Sequence, residues 1–144
     1  MNIPFILNWT ERRPEDIGAR VSLMANVQGQ DHLNSLPAKG VWVAGGFNTS
    51  ADYSGVEVAV GFNNVNGELY GASCGLVNYA KTNGRFALQV GAVNQISEYN
   101  PAGTVIQIGL HNRTENQSSP FINVRGLGKC FRGKKGAELE SKVE

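Results

Sequence analysis

The sequence predicts an all-β protein built from repeats, which we expect to form an antiparallel meander closed into a sandwich or a barrel. Three features support this class: a recurring glycine, alternation of apolar and small residues around it, and Asn-Gly pairs between the repeats. The 144 residues suit one domain over residues 1–126 followed by a flexible tail over residues 127–144. Hydrophobic residues make up 41% of the chain and charged residues 17%, which is typical of a chain that folds.

A glycine recurs through the middle of the chain at intervals of 15, 14, 16 and 18 residues. This glycine column consists of Gly46, Gly61, Gly75, Gly91 and Gly109. The flanking segments align as VAGGFNT, VAVGFNN, ASCGLVN, LQVGAVN and IQIGLHN. The positions one and three before the glycine and one after it are mostly apolar, whereas the position two before it is Ala, Ser or Gln. A period of two residues predicts β-strands, so the repeat units span about residues 40–126.

Segments outside the repeat units add two further strands and little helix. ARVSLMANVQ predicts an earlier strand and PFINVRG a later one. RPEDIGAR is long enough for one helical turn, and GAELESKVE for a short polar helix at the end.

The alternation gives each predicted strand one apolar side and one side of small or amide residues. In the last unit the apolar side carries Ile106, Ile108 and Leu110. Because no predicted helix is long enough to cover this side, we expect it to be buried against another sheet or against a second copy of the chain. A homo-oligomer is therefore expected.

The connections between the units contain the pairs Asn66-Gly67 and Asn83-Gly84. Asn-Gly favours the tight turns of β-hairpins, which predicts antiparallel neighbours. Most units then end in an asparagine that can bond to its own backbone as the chain turns. These residues are Asn64, Asn78, Asn94 and Asn112. The alternative is a parallel β-solenoid in which these asparagines stack as a ladder, although the uneven spacing argues for the antiparallel arrangement.

The repeated core reads G-[V/L]-x-[V/I]-G-L-x-N, and it is accompanied by GLVNYA and IQIGLHNRTENQSSPFINVRG. This pattern, over roughly residues 40–126, resembles the bacterial LA-2272-type surface repeat proteins. The resemblance implies a repeat-built β protein, often placed at the cell surface, and carries no activity over to particular residues.

Residues suited to catalysis are few, so we expect no enzyme and no cofactor. His32 and His111 lack the convergent partners of a catalytic or metal site, and the two cysteines lack ligand spacing, so no metal is expected. The small and amide side of the strands offers the best candidate ligand face. Its members are Trp42, Gln89, Gln107 and His111.

The formal net charge of +1 gives no general attraction to nucleic acid, and we expect no nucleic-acid partner. One local basic segment, in the tail, suits an anionic membrane surface. The residues of this candidate tether are Lys129, Cys130, Phe131, Arg132, Lys134 and Lys135. No signal peptide is evident, which predicts a cytoplasmic protein, with the cell surface as the alternative.

Three functions fit these observations. The first is a non-enzymatic structural or interaction protein that self-associates through its sheet surfaces. The second is a membrane-associated protein resembling a β-barrel, because an apolar outer side and a polar inner side suit a bilayer. The third is a small-ligand-binding protein or enzyme that uses the Gln and His side chains.

Overall fold

The computed structural model describes residues 7–10, 17–28 and 37–126 of the chain. The secondary structure of these residues is entirely β, in eleven strands. The strands are β1 Leu7–Thr10, β2 Ile17–Ser22, β3 Ala25–Gln28, β4 Ala38–Ala44, β5 Phe47–Ser50, β6 Tyr53–Ala59, β7 Phe62–Cys74, β8 Val77–Val90, β9 Val93–Glu98, β10 Thr104–Thr114 and β11 Gln117–Arg125.

The chain winds into a parallel β-solenoid whose coils each contribute one segment to two sheets. The front sheet contains β2, β4, β6, the second halves of β7 and β8, and the first half of β10. The back sheet contains β1, β3, β5, the first halves of β7 and β8, then β9 and the second half of β10. A bend at each glycine of the glycine column joins a front segment to the next back segment.

The prediction of an all-β protein built from repeats is confirmed. Of the two predicted arrangements, the structure has the alternative one, the β-solenoid. The antiparallel meander is wrong for strands β1 to β10, because equivalent residues of successive coils pair in parallel register, as Val41, Val56 and Ala72 do. Asn83 and Gly84 lie within β8 and do not reverse the chain. The uneven spacing is absorbed at the corners, for example by residues 99–103 between β9 and β10.

The last strand closes the solenoid at one end. After a turn at Glu115, β11 runs back along β10 in antiparallel pairing. Glu115 and Phe121 both have positive φ, at 45° and 65°, and the pairing shifts register between Gly109 and Asn112. Pro120 has no amide hydrogen to offer to a further strand, so this end is poorly suited to continued parallel stacking.

The apolar sides of the front strands point outward, and no second sheet among the described residues covers them, so cover by another sheet is wrong and cover by a second copy stays a prediction. Val58 is 37% exposed, Ile108 43% and Leu110 70%, whereas Ala59 and Gln107 are buried inside. The inward positions hold a hydrophobic core that includes Trp42, Tyr53, Leu69 and Ile96, together with buried amide side chains that can pair along the axis. Alternation reveals two sides of a strand but does not say which side is the inner one.

The expectations for the chain ends differ in outcome. The segment ARVSLMANVQ forms two strands, β2 and β3, with a bend at Leu23 and Met24. The helical turn expected over residues 13–20 is wrong in its second part, because residues 17–20 belong to β2. The strand expected in PFINVRG is confirmed as part of β11. The tail over residues 127–144, with its polar helix and its candidate tether, lies outside the described residues.

Candidate functional site

The part of the outward side of the front sheet next to the glycine bends, here called the apolar face, is an extended exposed feature of the described residues. Two rows of side chains run along the solenoid axis in paired register. The central row is Val21, Val43, Val58, Cys74, Val90, Ile108 and Ile122. The second row is Ala19, Val41, Val56, Ala72, Leu88, Ile106 and Val124. The adjoining bends add Leu23, Val60, Leu76, Ala92 and Leu110.

The two rows and the adjoining bends that form the apolar face carry no charged side chain and no hydroxyl or amide side chain, whereas the next outward row of the same sheet holds Lys39, Ser54 and Tyr70. Many of its members are well exposed, including Leu23 at 65%, Val60 at 70% and Ile122 at 59%. Soluble proteins seldom leave a continuous apolar surface of this kind uncovered, because contact with water is unfavourable for each side chain. The face therefore has the character of a binding surface.

An asparagine ladder inside the back sheet holds the coils in register behind this surface. Each asparagine is fully buried, and the side-chain Nδ2 of each one except the last, Asn112, donates to Oδ1 of the next asparagine at 2.7–2.9 Å. The ladder residues are Asn26, Asn48, Asn63, Asn78, Asn94 and Asn112. The interpretation as a stacked ladder is therefore confirmed, except that Asn63 takes the place expected for Asn64.

The same amides also tie the back sheet to the front sheet. Nδ2 of Asn78 donates to the carbonyl oxygen of Val90 at 2.9 Å, and Nδ2 of Asn94 donates to that of Ile108 at 2.9 Å. Both acceptors belong to the central row of the apolar face. The ladder thus fixes the end of each front strand, which keeps the apolar face regular from coil to coil.

A second column of inward side chains, here called the mixed column, runs inside the front sheet. Its members are Arg20, Trp42, Glu57, Ser73, Gln89, Gln107 and Asn123. The amides at one end bond along the axis, since Nδ2 of Asn123 donates to Gln107 at 2.9 Å and Nε2 of Gln107 donates to Gln89 at 2.8 Å. At the other end the Arg20 guanidinium lies over the Trp42 ring, 4.6 Å from its centroid.

Glu57 is the exceptional member of the mixed column. Its side chain is fully buried, and neither carboxyl oxygen accepts a well-formed hydrogen bond. Burial raises the pKa of Glu57 from its ordinary value of 4.5 to about 8, and the Ser73 hydroxyl lowers it only in part. Burial, followed by the charge of Glu57, also raises the pKa of the neighbouring Tyr53. The interior therefore holds a carboxyl group that is protonated at neutral pH.

The residues predicted as a ligand face do not form one accessible surface. Trp42, Gln89 and Gln107 share the mixed column, where they are 0–1% exposed. His111 lies on the other sheet with its side chain outward, and its backbone pairs with Val93. The prediction of a single exposed face is wrong, because the bend at Gly109 turns the chain from one sheet to the other between Gln107 and His111.

The glycine column has a structural role at these bends. A Cβ on Gly91 would overlap the carbonyl oxygen of Gly75 in the preceding coil, and it would lie 2.6 Å from Nδ2 of Asn78. A Cβ on Gly109 would meet the carbonyl oxygen of Gly91 and Nδ2 of Asn94 in the same way. Glycine lets each bend approach the preceding coil and the asparagine ladder.

An open pocket of about 320 Å³ lies at the corner between β4, β6 and β7. Its polar lining includes Lys39, Asp52, Ser54 and Glu68. Oδ1 of Asp52 already accepts the backbone N–H of Glu68 at 2.6 Å, which fixes the corner. The described residues contain no cluster of three or more His, Cys, Asp or Glu side chains suited to a metal ion. They also contain no helix that is long and apolar enough to cross a membrane.

Sequence reasoning missed Glu57 and the outward direction of the apolar face. The glutamate stands two residues before Ala59, in the pattern V-E-V-A-V, where it looks like an ordinary solvent-facing residue of a strand. Alignment on the glycine column puts Ala59 in line with Ser73 and Gln89, whereas the strands pair Glu57 with Ser73, so no signal in the sequence placed Glu57 in this column. His32 and the candidate tether lie outside the described residues.

Comparisons with family models, with curated proteins and with solved structures found no match.

Proposed function

We propose that this protein is a non-enzymatic structural module that associates with a second copy of itself through the apolar face. The observation that carries the proposal is the absence of any charged, hydroxyl or amide side chain from that exposed face. The interior holds buried polar groups, where the asparagine ladder and the mixed column stabilise the coils.

The size of the apolar face suits a second copy. Strand spacings of about 4.8 Å and about 3.3 Å per residue give it roughly 600 Å². Two copies placed face to face would then bury about 1,200 Å² in total, which is the lower limit for stable protein interfaces. A flat face without charges is also self-complementary, as a symmetric dimer requires.

The closed end of the solenoid favours lateral association over end-to-end growth. Pro120 and the positive φ of Phe121 make β11 a poor template for a further strand. The apolar face lies along the side of the solenoid and remains available. The resemblance to surface repeat proteins stays a prediction, and it is compatible with such a role.

The molecular mass in solution tests this function. We expect sedimentation equilibrium to give a dimer of the 15.5 kDa chain, and Ile108→Asp to weaken dimerisation by at least about a hundredfold, since a symmetric interface would contain the buried charge twice. Ile108 is 43% exposed, so this variant should keep its fold.

Two matched variants separate association from folding. Gln117→Asp places the same charge on an exposed residue away from the apolar face and should leave the dimer unchanged. Gln107→Asp places it on a fully buried residue and should unfold the chain, as seen by circular dichroism. A monomeric wild-type protein that instead binds neutral lipid vesicles through the apolar face would overturn the proposal in favour of a membrane role.

A further inference from the structure

We propose, on the basis of the proposed self-association, that the second copy docks with its Cys74 opposite Cys74 of the first. Cys74 is an exposed free thiol. It is the fourth of the seven members of the central row, with Val21 at one end and Ile122 at the other. Along its own strand it lies between Ala72 and Leu76, so it occupies the middle of the apolar face in both directions.

Symmetry makes this central position special. In a face-to-face dimer the twofold axis lies in the plane between the two faces. Rotation about this axis places the apolar face of one copy on the apolar face of the other. Whatever the direction of that axis in the plane, a residue at the centre of a fully overlapping patch meets its own counterpart. The two Cys74 thiols should therefore be neighbours for any such axis.

The limited size of the apolar face favours full overlap. A displacement by one coil, about 4.8 Å, would uncover roughly a seventh of the contact area. Because the total of about 1,200 Å² is already at the lower limit for a stable interface, each uncovered row weakens the complex appreciably.

The side chains at the centre also leave room for a pair of facing thiols. Ala72 and Cys74 of β7 are smaller than the corresponding pair Val56 and Val58 of β6. They are also smaller than Leu88 and Val90 of β8 on the other side. The centre of the face is therefore its lowest part, and two copies in contact through the flanking strands leave space there for the two Cys74 side chains.

Crosslinking with a short bifunctional maleimide tests the inference. Cys130→Ser leaves Cys74 as the only thiol of the full-length chain. At a concentration where sedimentation shows the dimer, we expect covalent dimers to form about tenfold or more faster than in the control, because pairing raises the effective thiol concentration to the millimolar range. The control carries Cys74→Ser, Lys81→Cys and Cys130→Ser, with its thiol at an exposed position of the back sheet.

The outcomes distinguish this inference from the proposed function. A dimer that dissociates with Ile108→Asp but is not crosslinked at Cys74 would overturn the central placement and leave self-association intact. A monomer at all concentrations would overturn both. Equal crosslinking at Cys74 and Lys81→Cys would indicate random collision, and it would also overturn the central placement.

Discussion

The asparagine ladder and the mixed column run side by side through the same interior, and they differ in how their polar groups are satisfied. No buried side-chain nitrogen or oxygen atom of the ladder is without a hydrogen-bond partner. Both carboxyl oxygens of Glu57 are without one. The ladder repeats one residue, whose amide offers a donor and an acceptor to identical neighbours. The mixed column consists mostly of unlike residues, so its side chains bond to one another along the axis only where amides are adjacent, as at Gln89 and Gln107.

This difference indicates that stacked identical amides specify the register of a solenoid better than a sequence of unlike polar residues. A buried polar group is tolerated when each neighbour supplies the missing partner, and it is destabilising when one neighbour does not. We therefore expect the ladder to supply stability and the mixed column to supply pH dependence.

The largest effect is expected from interruption of the ladder by Asn78→Ala. Asn78 accepts from Asn63 and Ser73 and donates to Asn94 and Val90, so its loss leaves several buried partners incompletely satisfied. We expect the free energy of unfolding to fall by about 3–5 kcal/mol, measured by urea denaturation. The matched control is Asn64→Ala, since Asn64 bonds only locally to Asn66 in the structure and should matter far less. Similar losses in both variants would contradict the role of the ladder.

The mixed column is probed by Glu57→Gln. The pKa of Glu57 is raised from 4.5 to about 8 on folding, so the folded protein retains a proton that the unfolded chain releases. The free energy of unfolding should therefore be highest below pH 4.5 and fall as the pH rises towards 8. The total loss should be roughly 3–5 kcal/mol. Glu57→Gln removes the titrating group and should flatten this dependence.

Urea midpoints at about pH 5 and about pH 9 are sufficient to test the role of Glu57. An equally steep pH dependence in wild type and Glu57→Gln would show that another group is responsible. Glu68→Gln is a suitable control, because Glu68 is exposed at a neighbouring corner and its removal should leave the dependence unchanged.

A smaller effect is expected at the bends that support the ladder. Gly91→Ala introduces a Cβ that overlaps the Gly75 carbonyl oxygen and crowds Nδ2 of Asn78, so one coil must shift. We expect a loss of about 1–3 kcal/mol, seen as a lower thermal midpoint. Ala92→Ser, at the next residue, changes a half-buried outward side chain and should leave the midpoint nearly unchanged.

The smallest effect concerns Ser73, which connects the two columns. Its hydroxyl donates to Oδ1 of Asn78 at 3.0 Å, and it also lowers the pKa of Glu57. Ser73→Ala should reduce the free energy of unfolding by about 1 kcal/mol at low pH. It should also extend the pH-dependent loss of stability to higher pH. A change in stability without that extension would place Ser73 in the ladder alone.

Much of the fold could be predicted from the sequence, because the repeat is explicit. The glycine column and the period of two residues were sufficient to predict strands over residues 40–126, and the solenoid was one of the two arrangements that they allowed. The choice between these arrangements could not be made from local signals. Asn83-Gly84 favours a hairpin in isolation, but here Asn83 pairs its buried amide with the backbone of Asn100, one coil away.

The candidate site was predicted only in part, for a related physical reason. The apolar face was recognised as a continuous surface that needs a cover, but the sequence left open whether another sheet or a second copy of the chain supplies it. Whether Ile108 or Gln107 points inward depends on how the coils close, and this closure involves pairing between residues such as Asn94 and Asn112, 18 positions apart. A long-range contact of this kind has no local counterpart in the alternation of side chains.

The closing hairpin of β10 and β11 has an evolutionary consequence. Because β11 pairs with β10, the end of the solenoid can stay as it is while whole coils are gained or lost before it. Duplication of one coil, such as the 15 residues from Asn63 up to but not including Asn78, would add one strand to each sheet and one asparagine to the ladder. Selection could thus enlarge or reduce the binding surface through gene duplication alone, in steps of one coil and without new point mutations.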